Sequence, residues 1–260
     1  MTLRAPAKVN LCLRVGPVRP DGYHRVSTLM QAVDLYDELE LEPASEVEVE
    51  GFPDDTLARA ALEALGETRR VRLVKRIPVS AGLGGGSSDA AAILRALRGE
   101  RSANELHEIA RALGTDVPFF LSGVETGFGA GRGDRIMALP EFPRGHAFVL
   151  VPGEGLSTAD VYAATEPSLA FRAEEGELIR RMHTARRAAD VAALMANDLE
   201  AAVLRLRPDV EARLAALRDA GALAAQVTGS GPTAFGLFEH RQAAEEAAAE
   251  IPGAIAVSPV

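Results

Sequence analysis

The chain of 260 residues has no tryptophan, a single cysteine, and only two lysines among its 28 basic residues. A lone thiol, Cys12, cannot close an internal disulfide, which fits a reducing compartment. No stretch of about 18 apolar residues occurs, so no membrane-spanning helix is expected. The first residues, MTLRAPAKVN, lack the apolar core of a secretory leader, and the expectation is a cytoplasmic protein without a membrane partner. Acids exceed bases to a net charge of −9. With no run of basic residues interleaved with aromatics, nucleic acid is excluded as a partner. There is no internal repeat and no low-complexity linker. With 47% hydrophobic residues, the chain has enough apolar material for one large core or two smaller ones.

The lysine shortage is informative in itself. A chain that meets its general need for cations with arginine keeps lysine where a compact, rotatable ammonium is wanted. The two are Lys8, in PAKVN, and Lys75, in VRLVKRIP. The sequence assigns no role to Lys75.

What the chain has in concentration is glycine, in PVSAGLGGGSSDAAAILRAL from Pro78 to Leu97. Gly82, Gly84, Gly85 and Gly86 crowd around Leu83, and their backbone entropy has to be offset by positive φ or by close backbone approach. Ser87, Ser88 and Asp89 offer helix-start chemistry, and Ile93, Leu94 and Leu97 form an apolar stripe behind them. Such a loop presents unpaired N–H groups and the positive end of a helix dipole, a site suited to phosphate. A plain turn needs one or two glycines, not four. No Gly-Lys-Ser/Thr follows, and the spacing is not that of the dinucleotide fingerprint.

Elsewhere the periodicities read as mixed. A strand over 3–15 puts Val9, Leu11, Leu13 and Val15 on one face and Lys8, Asn10 and Cys12 on the other. VSTLMQAVDL, ELELE and EVEVE read as further strands, and RRVRLVKRIPVS as a strand feeding the glycine loop. DDTLARAALEALG reads as a helix with an aspartate cap and Gly66 as its stop, and Ser102 with Glu105 forms a capping box for a helix ending near Gly114. Past Pro152 the segments EEGELIRRMHTARR, DVAALMANDLEAAVLRL and PDVEARLAALRDAG read as helices around two strands, AAQVTG and TAFGLF. Pro208 is placed as a first helical residue and Gly221 as a stop. The class is α+β, in two domains (1–150 and 151–260) with a cleft between them.

PAKVNLCL (6–13), PVSAGLGGGSSDAA (78–91) and VTGSGPTAF (227–235) together resemble the three signature motifs of the GHMP small-molecule kinases. DGYH, GTDVPFF and NDLE extend the likeness to the branch whose acceptor is a methylerythritol carrying cytidine diphosphate. The resemblance implies a two-domain α+β fold, with an N-terminal half like the second domain of ribosomal protein S5 and a ferredoxin-like C-terminal half. It also implies transfer of the ATP γ-phosphate to a hydroxyl, with Mg²⁺ accompanying ATP and small molecules as partners. A homodimer is compatible with the sequence.

Carried over residue by residue, Asp116 matches the catalytic aspartate and Lys8 its paired lysine. A hydroxyl is a poor nucleophile, so a carboxylate that takes its proton and an ammonium that offsets developing charge are the groups required. Pro78, Gly82, Leu83, Gly84, Gly85, Gly86, Ser87 and Ser88 match the ATP-binding stretch, with Ser87 or Ser88 near Mg²⁺ and no side chain assigned as a metal ligand. Asn10, Tyr23, His24, Tyr162, Gly229, Ser230 and Gly231 match the acceptor side, where aromatic faces suit a flat pyrimidine. Asn197 and Asp198 of NDLE are expected in a structural helix role. Two alternatives stay open: a homoserine or mevalonate kinase, which would lack the DGYH clamp, and a non-catalytic relative, which would be expected to lose Lys8 or Asp116.

Overall fold

A computed structural model of the chain describes residues 1–52, 56–139, 142–168 and 170–260. The first half contains β1 (Thr2–Val18), β2 (His24–Pro43), β3 (Glu48–Glu50), α1 (Thr56–Leu65), β4 (Arg69–Val74), α2 (Gly85–Ala96), α3 (Ala103–Leu113), α4 (Val117–Ser122), β5 (Thr126–Ala130) and β6 (Arg135–Ala138). The second contains β7 (Ala147–Val151), α5 (Thr158–Ala163), α6 (Phe171–Thr184), α7 (Ala188–Ala192), β8 (Ala196–Asn197), α8 (Glu200–Leu206), α9 (Val210–Asp219), β9 (Ala224–Val227), β10 (Ala234–Phe238), α10 (Arg241–Glu250) and β11 (Ile255–Val257). Among the described residues no helix is long and apolar enough to cross a membrane.

One sheet runs β3-β4-β2-β1-β8, with β5 joining β2 and β6 joining β5; the other runs β11-β7-β10-β9. Leu39, Leu41, Val71 and Leu73 of the first sheet pack under α1 and α2. Its opposite face, through Val9, Leu11, Leu29 and Val33, meets Phe148, Leu150, Phe235 and Leu237 of the second sheet. Val149, Val151 and Phe238 then face the helices behind it, against Leu214, Leu217 and Ala244. The layers therefore stack helix, sheet, sheet, helix, and β1, buried from Ala7 to Leu13, lies between two covered faces.

That position explains the first departure from the sequence reading. Between Asn10, paired with Met30, and Cys12, paired with Leu29, one extra residue of β1 opposes the partner strand. This bulge inverts the alternation beyond it. Cys12 accordingly joins Val9 and Leu11 in the inter-sheet core, while Leu13 and Val15 turn the other way, toward Val26, Val161 and Val203. Strict period two, continued through the bulge, puts them on the wrong faces.

Other departures are local. The segments anticipated as separate strands within 24–43 are one continuous strand, and the strand before the glycine loop stops at Val74. The helix anticipated across DVAALMANDLEAAVLRL is broken: Ala196 and Asn197 pair in parallel with Cys12 and Leu13 as β8, so Asn197 and Asp198 are structural but not helical. Pro208 lies in a turn two residues ahead of α9, whose N-cap is Asp209. The capping box of Ser102 and Glu105 forms, and Gly66 and Gly221 end their helices with φ of 66° and 89°. The aspartate cap anticipated for α1, at Asp54 and Asp55, lies outside the described residues.

Candidate active site

On β1, Lys8 and Asn10 share a face, and Lys8 Nζ donates to Asn10 Oδ1 at 2.5 Å. The same ammonium stands 3.3 Å from Asp116 Oδ2; Lys8 is 3% exposed and Asp116 31%. The ammonium is therefore buried behind a carboxylate that reaches solvent. Asp116 precedes α4 at a position where aspartate often caps, yet it makes no side-chain cap bond. Its carboxylate remains available to Lys8.

Asn10 is held on three sides. Its Nδ2 donates to Thr28 Oγ1 at 2.8 Å, its backbone N–H donates to Thr228 Oγ1 at 3.0 Å, and Thr228 Oγ1 donates to Asn10 Oδ1 at 3.3 Å. With Oδ1 accepting from an ammonium, the amide has one possible orientation.

The glycine loop crosses directly over this pair. Leu83 O accepts from the Lys8 backbone N–H at 3.0 Å. Gly82 and Gly84 have φ of 78° and 75°, the left-handed region that side chains resist. A Cβ on Gly82 would lie 2.4 Å from Thr228 O, and one on Gly84 would lie 2.9 Å from the Phe120 ring and 3.2 Å from Lys8 Cε.

Gly84 itself is the N-cap of α2, and it offers no side-chain cap. Ser87, Ser88 and Asp89 thus lie inside the first helical turns and do not start the helix, which corrects the sequence reading. Gly85 and Gly86 are helical and do not share the positive φ. The uncapped start leaves N–H groups of the first turn exposed to a ligand.

Two cavities meet at this loop. The first, about 420 Å³, brings together Lys8, Asn10, Asp116, Gly82, Gly84, Tyr162, Gly229 and Ser230. The second, about 390 Å³, is walled by Phe52, Leu57, Lys75, Pro78 and Gly82, Gly84 to Ser87; Ser80, Gly82, Gly84 and Thr158 belong to both. Leu83 and Ser88 are buried beneath the loop and outside these walls, and Ser88 Oγ has no hydrogen-bond partner among the described residues. Gly231, in the turn between β9 and β10, is buried; a Cβ on it would meet Val227 and Val203, and its backbone lies against Gly82, where a Cβ would come within 3.2 Å of Gly231 O.

On the acceptor side, Tyr162 on α5 stacks against His24 with ring centroids 5.6 Å apart, and His24 Nδ1 bonds Gly16 O at 3.0 Å. Burial, with the Asp116 charge adding to it, pushes the Tyr162 phenol well above its ordinary range, so it stays a neutral hydroxyl. Tyr23 is 52% exposed and lies outside the cleft wall; the guanidinium of Arg132 covers its ring at 4.9 Å, and Arg132 itself lines the cleft.

Sequence reasoning missed several of these residues. Thr28 and Thr228 orient Asn10, and Thr158 bonds Ser230 across the cleft, Oγ1 to Oγ at 2.8 Å. Asn197, which the sequence reading did place in a structural role, donates from Nδ2 to Val227 O and Gly229 O, both at 2.8 Å, and so fixes the second glycine turn. Thr228 sits inside a quoted motif; nothing in the sequence distinguishes Thr28 or Thr158.

Known proteins are similar to this chain in sequence and in fold. Residues 55–124 match the model of the GHMP kinases N terminal domain, and residues 177–256 that of the GHMP kinases C terminal domain. The 4-diphosphocytidyl-2-C-methyl-D-erythritol kinase of Pelotomaculum thermopropionicum is 41% identical over 96% of this chain and 93% of its own length. That of Pelobacter propionicus is 39% identical over 96% and 94%. A crystal structure of 4-(cytidine 5'-diphospho)-2C-methyl-D-erythritol kinase superposes with a TM-score of 0.80 at 36% identity, covering 99% of this chain and 98% of that one. A homoserine kinase from Cytophaga hutchinsonii reaches a TM-score of 0.70 at 20% identity, a likeness of fold alone.

Proposed function

Since this chain belongs to the GHMP kinase family, we propose that it transfers the γ-phosphoryl group of ATP to a hydroxyl of 4-diphosphocytidyl-2-C-methyl-D-erythritol, on the non-mevalonate route to isoprenoid precursors. The observation that carries the proposal is the Lys8–Asp116 pair, 3.3 Å apart, at the point where the glycine loop crosses β1.

In this reading the second cavity takes ATP. Phe52, Leu57 and Pro78 offer apolar walls to the purine, and the start of α2 offers N–H groups and dipole to the phosphates. The first cavity takes the acceptor, with its cytosine at the His24–Tyr162 pair and its reacting hydroxyl at Asp116. As the hydroxyl oxygen bonds to the γ-phosphorus, its proton passes to the Asp116 carboxylate and the bond from phosphorus to the β,γ-bridging oxygen breaks, releasing ADP. Lys8, 3.3 Å from the Asp116 carboxylate, offsets charge on the transferring group; Asn10 fixes the ammonium.

Among the described residues no cluster of three His, Cys, Asp or Glu side chains could hold a metal. In this reading Mg²⁺ arrives with ATP, bound mainly through phosphate oxygens and water. Ser87, on the wall of the second cavity, is the residue that would hold it, and the ion supplies charge neutralisation to the triphosphate. The two halves divide near 145–155 in this proposal; in support, β7, the first strand of the second sheet, begins at Ala147.

The deciding experiment is a phosphorylation assay with ATP and three acceptors: 4-diphosphocytidyl-2-C-methyl-D-erythritol, homoserine and mevalonate. Turnover of the first alone is expected; preference for either of the others overturns the assignment.

A further inference from the structure

Both lysines of this arginine-rich chain lie against carboxylates at the cleft, and the mechanism above uses only Lys8. Lys75 follows β4 directly. Its ammonium, 12% exposed, is 2.5 Å from Asp37 Oδ2 and 2.7 Å from Asp89 Oδ2, and both carboxylates are fully buried. The second oxygen of Asp37 accepts from the backbone N–H of Arg76 at 2.6 Å and of Ile77 at 2.9 Å.

Asp37 belongs to β2, Lys75 to the segment that enters the glycine loop, and Asp89 to the helix that leaves it. One ammonium therefore ties the two ends of the loop to each other and to the sheet. Gly85 closes the remaining side, since a Cβ there would stand 3.1 Å from Lys75 Nζ and 3.3 Å from Asp37 Oδ2.

Burying three charges is a poor way to gain stability, because desolvation offsets most of the attraction and apolar residues of similar volume would serve as well. What the arrangement does supply is position. An ammonium beside the start of α2 is repelled by the positive end of the helix dipole, and the two carboxylates hold it there. Burial draws the Lys75 pKa down, but Asp89 and Asp37 outweigh it and raise it, so the group stays charged. Lys75 shares the wall of the second cavity with Gly85, Gly86 and Ser87.

We propose that Asp37 and Asp89 are positioning residues that hold the Lys75 ammonium, and through it both ends of the glycine loop, in the geometry that receives the ATP phosphates. This rests on the nucleotide reading of the second cavity and not on the identity of the acceptor.

The test is calorimetric titration of a non-hydrolysable ATP analogue with Mg²⁺ and no acceptor present, on the wild type and on Lys75→Met, Lys75→Arg and Asp89→Asn. Lys75→Met and Asp89→Asn should weaken binding by about tenfold, as expected for loss of one charge-assisted contact. The KM for ATP should rise in parallel while the acceptor KM holds, and Lys75→Met, which leaves two buried carboxylates without their cation, should also melt lower. Lys75→Arg should fail to restore affinity, because a planar guanidinium is too large for the space between Gly85 and the two carboxylates. Unchanged affinity in Asp89→Asn and Lys75→Met, full recovery with arginine, or a fall in affinity matched by loss of acceptor binding overturns the positioning role. If Lys75→Met does not fold, the isosteric Asp89→Asn decides alone. Failure of the wild type to bind the analogue would refute the nucleotide reading itself, whereas a wild type that binds ATP but rejects the acceptor leaves this inference standing.

Discussion

Replacing Gly82 with alanine separates what the loop needs for folding from what it needs for catalysis. Two costs arise. The first is conformational: a Cβ at φ 78° is disfavoured by on the order of 1 kcal/mol. Gly66→Ala pays the same cost at φ 66°, at a helix stop where an added Cβ meets nothing within 4 Å among the described residues. The second falls on Gly82 alone. Its Cβ would sit 2.4 Å from Thr228 O, about 1 Å inside ordinary contact. The obstacle is backbone, and no rotamer change removes it.

Thr228 cannot retreat freely, because its N–H donates to Thr233 O at 3.0 Å and its hydroxyl carries Asn10. The displacement therefore passes into Asn10 and Lys8 or into the loop itself. Misplacement of reacting groups by about 1 Å can cost about 10²-fold in rate. Both variants should melt a few degrees lower, at about 2–4 °C per kcal/mol for a chain near this size. Only Gly82→Ala should also lose about 10²-fold in kcat/KM, read by coupled ADP release on the folded enzyme. Wild-type kcat/KM in Gly82→Ala would refute the close-approach reasoning.

Asp116→Asn should lower kcat by about 10² or more while ATP affinity and melting are kept, since a general base is lost and its shape is not. Lys8→Ala should also lower kcat. Kinetics of the double variant should fall well short of the product of the single losses if the 3.3 Å pair acts as one unit, and additive losses would mean separate roles. His146, edge-on against Phe148 with neither ring nitrogen hydrogen-bonded among the described residues, has its pKa pushed by burial from 6.5 down to about 4. The unfolded chain binds this proton first as pH falls, so the contribution is complete above about 6.5 and is lost progressively toward pH 4, by on the order of 3 kcal/mol. Denaturant melts of the wild type and His146→Leu should diverge in slope across that window, and parallel profiles would exclude the histidine.

Local sequence carried the motifs of the candidate site because motifs are contiguous. The glycine run, the capping box at Ser102, the helix stops at Gly66 and Gly221 and the β9–β10 pair each depend on neighbours a few residues apart. Lys8, Asn10 and Asp116 were legible as residue types in a pattern, and the shortage of lysine drew notice to Lys8 and Lys75 without giving Lys75 a role. What depended on distant pairing was not legible. The bulge at Leu11 is imposed by the register of β1 against β2, and it alone decides that Cys12 faces the inter-sheet core while Leu13 faces the cleft. Asn197 leaves the helical pattern because an edge of β1 is free to pair with it. Asp37 reaches Lys75 across 38 residues, and Thr228 reaches Asn10 across 218. Such contacts are selected by how the two sheets stack, a long-range burial that no local propensity encodes; the residues proposed to carry the chemistry were written in the chain, and the residues that aim them were decided by the packing.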